Sequence, residues 1–341
     1  MAMAAERPIV SVCIANYNGI GLIDACIESV LAQDWEGTVE IIVHDDASGD
    51  GSAEFISSQY PWVKLIESPD NVGFCVANNR MVAVAQGEYL LLLNNDAVLL
   101  PDALRALLAE AQKIASPAIL GLPQYDASTG ALIDIGSLFD PFLNPVPNLD
   151  MNRSEVGMVI GACMWIPKRM WEEFGGFPEW FGSLAEDMYL CCLARLWGYT
   201  VQVLPDSGFR HWVGKSFGGG KVADSRLITT IRRRALSERN KSFVMAIIYP
   251  APLVYLLFPL HLLLLFLEGL ALTVLKRRMD YWQQIYLPCF AALWRERARL
   301  WQLRVAVQER RRAGGVAFFK VSRLLPYKLR MLVRYGLPHV H

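Results

Sequence analysis

The feature that most constrains the fold is an alternation of short apolar, β-branched runs with amphipathic stretches. Residues 9–15 (IVSVCIA) run into Asn16, Tyr17, Asn18 and Gly19, and an amphipathic stretch over 22–32 follows. The pattern recurs as VEIIVHD at 39–45 with a helical stretch over 51–59, WVKLIE at 62–67 with 73–85, and EYLLLLN at 88–94 with 101–114. Strands that lack a polar face and alternate with helices build a mostly parallel sheet covered by helices on both faces, an α/β, Rossmann-like architecture. Ligands of such sheets gather at the carboxyl ends of the strands. Asn16 to Gly19, Asp45 and Asp46, and Asn94, Asn95 and Asp96 all fall there.

Residues 123–157 are rich in Pro, Gly, Asn and Asp and read as hairpins or a mobile flap. VGMVIGACMWI resumes the strand pattern, with a short helix over 168–174. The loop GGFPEWFGSL then delivers Ala185, Glu186 and Asp187 to the start of a helix ending near Trp197. A strand, YTVQVLP, precedes a glycine-rich loop over 209–220 that contains His211.

Charge divides the chain. Residues 1–220 carry 11 Lys and Arg against 27 Asp and Glu, a balance of −16, whereas residues 221–341 carry 22 against 6, a balance of +16. An acidic half joined to a basic half points to an anionic partner, nucleic acid or lipid. At 341 residues, 53% of them hydrophobic, the chain is neither disordered nor a disulfide-stapled miniprotein. The seven cysteines form no CxxC pair and read as reduced thiols. The N-terminal residues run straight into the strand-and-turn pattern, so no secretory signal is expected.

From 242 to 275 the only formally charged residue is Glu268, and Pro250, Pro252 and Pro259 interrupt an apolar sequence. Basic clusters flank it: Arg232, Arg233, Arg234, Arg239 and Lys241 before, and Lys276, Arg277 and Arg278 after. By the positive-inside rule both ends are cytoplasmic, which suits a proline-broken re-entrant or in-plane hairpin; the other reading is a buried helix pair in a soluble domain. The tail over 276–341 interleaves Trp, Tyr and Leu with arginines, the composition of helices in an anionic lipid interface, so lipid rather than nucleic acid is the expected partner. The organisation expected is a catalytic domain over 1–220, a basic linker helix over 221–241, the apolar hairpin over 242–275 and the basic helical tail over 276–341.

Two phosphate-binding motifs are near misses. GIGLID at 19–24 begins like the dinucleotide fingerprint GxGxxG, with Asp24 at the third glycine and Asp45 where a ribose-binding acid would sit. Gly214, Lys215 and Ser216 resemble the end of a P-loop, but Phe209 stands where its first glycine belongs. The convergence of Asp45–Asp46, Asn94–Asp96, Glu186–Asp187 and His211 is more informative. Such groups can hold a nucleoside, hold a divalent cation on a diphosphate, and take a proton.

Taken in order, these elements resemble the inverting nucleotide-sugar glycosyltransferases of family 2, with the GT-A fold, and among them bacterial rhamnosyltransferase-like, membrane-associated members. VSVCIANYNG is similar to the family's opening strand and turn, and IIVHDDASGDGS to its nucleoside-binding strand end. SPDNVGFCVANNRMVAVAQGEYLLLLNNDA resembles the run into its DXD-type metal motif, with Asn94 in place of the first acid. GACMWIPKRMWEEFGGFPEWFGSLAED resembles its acceptor segment and ED motif, and HWVGKS its histidine loop.

The resemblance implies a donor site made by Ala15, Tyr17, Asp45, Asp46, Asn79, Arg80, Asn94 and Asn95, with Asp46 on the pyrimidine or ribose. It implies Mg²⁺ or Mn²⁺ held by Asp96 and His211, Asp187 as general base oriented with Glu186, and Trp180 and Phe181 against the acceptor sugar. It departs from the family at Tyr189, where another acid often stands. The donor implied first is dTDP-rhamnose, and the acceptor a lipid-linked glycan at the cytoplasmic face of the inner membrane, in cell-surface polysaccharide biosynthesis. A processive polysaccharide synthase, an NAD-dependent oxidoreductase using GIGLID, and a catalytically dead membrane-docked nucleotide-binding scaffold are the competing readings.

Overall fold

A computed structural model describes residues 8–212, 219–223, 226–337 and 339–340. The chain forms two compact units, one of residues 1–136, 147–183 and 199–213, the other of residues 137–146, 184–198 and 214–341. In chain order the first elements are β1 (Val10–Asn16), α1 (Ile23–Leu31), β2 (Val39–Asp45), α2 (Ser52–Gln59), β3 (Lys64–Glu67), α3 (Phe74–Val84) and β4 (Tyr89–Asn94). They continue with β5 (Ala97–Leu99), α4 (Ala103–Lys113), β6 (Ala118–Gly121), β7 (Gln124–Asp126), β8 (Leu132–Asp134), β9 (Ser137–Phe139) and β10 (Pro145–Pro147). Then come β11 (Cys163–Pro167), α5 (Lys168–Phe174), α6 (Glu186–Leu196), β12 (Thr200–Val203) and β13 (Phe209–His211).

The first unit is built on a seven-stranded sheet of order β12-β6-β11-β4-β1-β2-β3. β1 pairs in parallel with β2 and β4, and β2 with β3, while β11 runs antiparallel between β4 and β6. Six of the seven residues of β1 and four consecutive leucines of β4 are buried, so both faces of the sheet are covered, as the unbroken apolar runs require. Val12, Ile14, Ile27, Val43, Leu91, Leu93, Leu104 and Trp165 lie in one continuous core. The order of strands puts the ends of β1, β2 and β4 side by side.

A second sheet, β5-β13-β7-β8, carries the histidine. β13 pairs antiparallel with β5, setting His211 opposite Ala97, and parallel with β7, setting Phe209 opposite Gln124. Within the Pro- and Gly-rich segment after residue 123, β7 and β8 complete this sheet, while β9 and β10 pair with each other.

In the second unit, α6 packs on α7 (Ile231–Ile248), and α8 (Leu253–Lys276) follows. The expected basic linker helix and the first arm of the apolar hairpin are one helix. α7 takes in only residues 231–241 of that linker, whose earlier part instead forms the antiparallel strands Gly219–Ala223 and Arg226–Thr229, and it stops at Tyr249, because Pro250 and Pro252 offer no amide hydrogen to continue it. The carbonyls freed at its end accept from Arg304, at 3.0 Å for Ala246 O and 2.7 Å for Tyr249 O, a cation on a helix C-terminus. Pro259 does not break α8, which absorbs it near its first turns. Helices Arg297–Glu309, Gly315–Phe319 and Tyr327–Tyr335 make up much of the tail.

Trp165 is fully buried in the central sheet and stacks on Tyr89 with ring centroids 5.0 Å apart. Trp165→Ala is expected to lower unfolding free energy by about 3–5 kcal/mol, read from chemical denaturation followed by circular dichroism.

Candidate functional site

The strand ends of the first unit are joined by a buried net centred on Asn16. Its Nδ2 donates to Asp45 Oδ2 at 2.8 Å and to Ser52 Oγ at 2.9 Å, and its Oδ1 accepts from Asn95 Nδ2 at 2.8 Å. β1, β2 and β4 are thereby fixed to one another at the edge where ligands of such sheets bind. A Cβ on Gly19 would lie 2.2 Å from both Asn16 Oδ1 and Asn95 Nδ2. Packing against this net accounts for the first glycine of GIGLID without a dinucleotide, and Asp24 accepts from the Tyr60 hydroxyl at 2.5 Å.

The two aspartates after β2 are partly committed to the chain itself. Asp45 Oδ1 accepts from Ser48 N at 2.9 Å, closing a turn. Asp46 accepts from Val72 N at 2.7 Å and Gly73 N at 2.9 Å, one amide on each oxygen. It therefore anchors the entry to α3, where Gly73 takes φ +87°. A carboxylate has about four acceptor positions, so each retains capacity for a ligand. Tyr17, after Ala15 at the end of β1, is 52% exposed.

Three other residues of the expected site serve the scaffold. The Asn79 amide clamps the Phe177 backbone, accepting from its N–H at 3.0 Å and donating to its carbonyl at 2.9 Å. Arg80 donates to Ser68 Oγ at 3.2 Å and lies 3.4 Å from His44 Nε2, beneath the strand ends. Burial, with Arg80 adding to it, pushes His44 below its usual pKa, so it stays neutral beside that cation. Phe181 is fully buried and meets Trp180 edge-on at 4.8 Å, so its ring is core and only Trp180 retains exposure for an acceptor.

Asp96 and His211 are brought together by β5 and β13. His211 Nε2 is 3.0 Å from Asp96 Oδ1, and both side chains are buried. The other ring nitrogen faces Gln124 Nε2 at 2.8 Å. Gln124, buried on β7, thus sets the orientation of the histidine that faces Asp96. The Oδ1 of Asn94, two residues before Asp96, is buried and has no hydrogen-bond partner.

This donor set fits a hard divalent cation. Two ligands about 2.1 Å from an octahedral ion lie roughly 3 Å apart when adjacent, and Mg²⁺ is usually held by one or two carboxylates with substrate phosphates and water. Among the described residues no three of His, Cys, Asp and Glu gather into a metal-binding group, so phosphates and water would complete the shell. A cavity of about 260 Å³ lies at the other end of β4, lined by Gly87, Tyr89, Pro167, Lys168 and Glu172, and contains none of these residues.

Glu186 and Asp187 belong to the second unit. Leu184 and Ala185, both with left-handed backbone (φ 71° and 65°), turn the chain into α6 and set the two acids in its first turn. The Asn240 side chain on α7 holds this turn, donating to Leu184 O at 2.8 Å. Glu186 is buried with Oε2 unpartnered, and burial first, then the neighbouring Asp187, pushes its pKa up to about 8; Arg233 opposes the shift. Arg233, in the first turn of α7, is itself pushed down by burial and held up by the two carboxylates. Gly214, Lys215 and Ser216 lie outside the described residues.

Asn16, Gln124, Asn240 and Arg233 escaped the sequence reading as functional residues. Asn16 stood inside a recognised strand-end turn and Arg233 in a basic cluster read as facing lipid, while Gln124 and Asn240 carry no local motif.

Residues 11–174, just under half of the chain, match the family model for glycosyl transferase family 2. The succinoglycan biosynthesis protein ExoO of Rhizobium meliloti is 37% identical over 106 residues, 30% of each chain. The S. aureus TarS 1–349 structure in complex with UDP aligns with a TM-score of 0.51 at 15% identity, covering 88% of this chain and 90% of that one. GalNAc-T7 with UDP, GalNAc and Mn²⁺ aligns with a TM-score of 0.58 at 15% identity, covering 87% of this chain and 58% of that one. The fold is therefore that of the GT-A glycosyltransferases. The chain spans about a third or less of the length of the first curated relatives it matches.

The raised Glu186 pKa fixes the sign of a stability effect. The folded state holds a proton that the unfolded chain releases near pH 4.5, so stability conferred below that pH is lost as pH rises toward about 8. Glu186→Gln is expected to flatten this fall, gaining on wild type between pH 5 and pH 8 in urea denaturation midpoints.

Proposed function

We propose that the chain is a metal-dependent, inverting glycosyltransferase that moves a sugar from a nucleoside-diphosphate donor to a hydroxyl of a lipid-linked glycan. The observation that carries this reading is the buried 3.0 Å approach of His211 to Asp96 beside the unpartnered Asn94 Oδ1. The family match over 11–174 supports the reaction class, and the relative named for succinoglycan biosynthesis supports a cell-surface polysaccharide as product. A pyrimidine nucleotide is favoured by the two structural relatives solved with UDP, and dTDP-rhamnose is the donor this reading puts first.

Asp45, Asp46, Asn95 and the exposed Tyr17 form the nucleoside side of the site, and Asp96 and His211 would hold Mg²⁺ or Mn²⁺ against the diphosphate. When bound, the cation neutralises charge on the departing phosphate. Asp187 takes the proton of the acceptor hydroxyl. The hydroxyl oxygen forms a bond to the anomeric carbon as the bond to the diphosphate breaks on the opposite face, so the configuration inverts. Glu186 holds its own proton through neutral pH, which leaves the negative charge of the pair on Asp187. A general base of this kind contributes about 10²–10⁴ in rate. The basic, apolar C-terminal region would keep the enzyme at the cytoplasmic face of the membrane, beside an acceptor anchored there.

Asp187→Asn is expected to lower turnover by about 10²–10⁴ while nucleotide affinity by calorimetry stays near wild type. Wild-type turnover in that variant would remove Asp187 as base. Gln124→Leu should weaken Mn²⁺ affinity by about 10- to 100-fold and Gln124→Glu by less, as read by paramagnetic resonance with UDP present. Chelation should abolish transfer, and Mn²⁺ or Mg²⁺ should restore it.

A further inference from the structure

We propose that α8 lies in the plane of the membrane, one face sunk into a single leaflet that contains anionic lipid, and does not cross it. The inference rests on the membrane localisation proposed above and gives it a geometry. At 24 residues α8 is roughly 36 Å long, enough to span about 30 Å of hydrocarbon. Length therefore permits crossing, and the contacts of its two faces decide.

One face is a buried stripe, with Val254, His261, Leu265, Gly269 and Leu272 at three- to seven-residue intervals. Its polar members lie mid-helix and are tied to charged helices of the same unit. Glu268 pairs with Arg234 of α7 and, at 2.8 Å, with Lys328 of helix Tyr327–Tyr335. His261 Nε2 lies 2.8 Å from Ser242 Oγ of α7. Lys328 also pairs with Glu238, which holds Lys241 at 2.8 Å. Crossing would draw Arg234, Glu238, Lys241 and Lys328 to hydrocarbon depth along with Glu268, where charged groups are costly.

Among the described residues, none covers the other face. Tyr255, Leu256, Leu263, Leu267, Leu270 and Val274 are 48% to 69% exposed. A bilayer is the occupant that the surrounding charge favours, since residues 221–341 carry 22 basic against 6 acidic side chains. Lys276 and Arg277 end the helix, and Arg297 stacks on the exposed Trp294 at 4.4 Å, an aromatic and cationic pair suited to a headgroup layer. Helix Tyr327–Tyr335 has no buried residue and alternates Leu329, Leu332 and Val333 with Lys328, Arg330 and Arg334.

The test uses the full chain with a cysteine placed just before and just after α8, Ala251→Cys or Met279→Cys. The seven native cysteines are buried and stay silent to a membrane-impermeant maleimide. Labelling of both positions from the same side of sealed membrane vesicles is expected, and labelling from opposite sides overturns the proposal. In flotation with phosphatidylethanolamine–phosphatidylglycerol vesicles, Leu263→Asp with Leu267→Asp should reduce binding at least tenfold while leaving UDP affinity unchanged. Unchanged flotation of that variant, or a wild-type chain that dimerises through this face and ignores vesicles, also overturns it. Loss of donor hydrolysis with intact same-side labelling would instead overturn the enzymatic reading.

Discussion

The catalytic reading depends on one constraint: three adjacent strands must end at the same level, with their polar tips satisfied by one another. Asn16 meets that constraint by donating to Asp45 and Ser52 and accepting from Asn95. Buried amides and carboxylates left without partners would each cost on the order of 1–3 kcal/mol. Joined in this way they fix where Asp46 and Asp96 leave their strands. The apolar sheet beneath makes the edge rigid, and the polar net gives it shape. The second sheet then needs only three residue pairs between β5 and β13 to bring His211 to Asp96.

Much of this was legible in the sequence, for identifiable reasons. Strands β1 to β4 are continuous apolar runs flanked by turn residues, so periodicity and punctuation located them together with the acids at their ends. What escaped were contacts between residues far apart in the chain. Gln124 lies 87 positions before the histidine it orients, in a segment whose composition signals only turns. Asn79 and Arg80 look like ligand residues from their place after a glycine, yet the Asn79 amide is engaged with Phe177, and one nitrogen of Arg80 faces Ser68 and His44. Phe181 reads as half of an aromatic platform and is core. Helix boundaries in the basic half were blurred because charge composition changes at residue 242 while the backbone continues unbroken to Ile248.

The second unit meets a different demand. Its helices carry a strong excess of positive charge, and three of the few acids available are set where they matter. Glu238 and Glu268 lie among Arg234, Lys241 and Lys328, and against the opposing effect of burial these cations hold the Glu238 carboxyl below its ordinary range. Breaking one member of such a partly buried group strands the buried Glu238 and Lys241, which makes it a device for fixing the arrangement of helices more than for adding stability. Glu186 shows the opposite case, a buried acid with an unpartnered oxygen whose pKa is raised by burial first and by Asp187 second.

The tightness around Gly19 has a consequence for how this chain can vary. A single methyl there would collide with two amides that hold three strands in register. Its replacement would be felt along the strand-end edge as a loss of shape. Tolerance to substitution in this protein is therefore set as much by empty space beside the strand tips as by the groups that perform the chemistry.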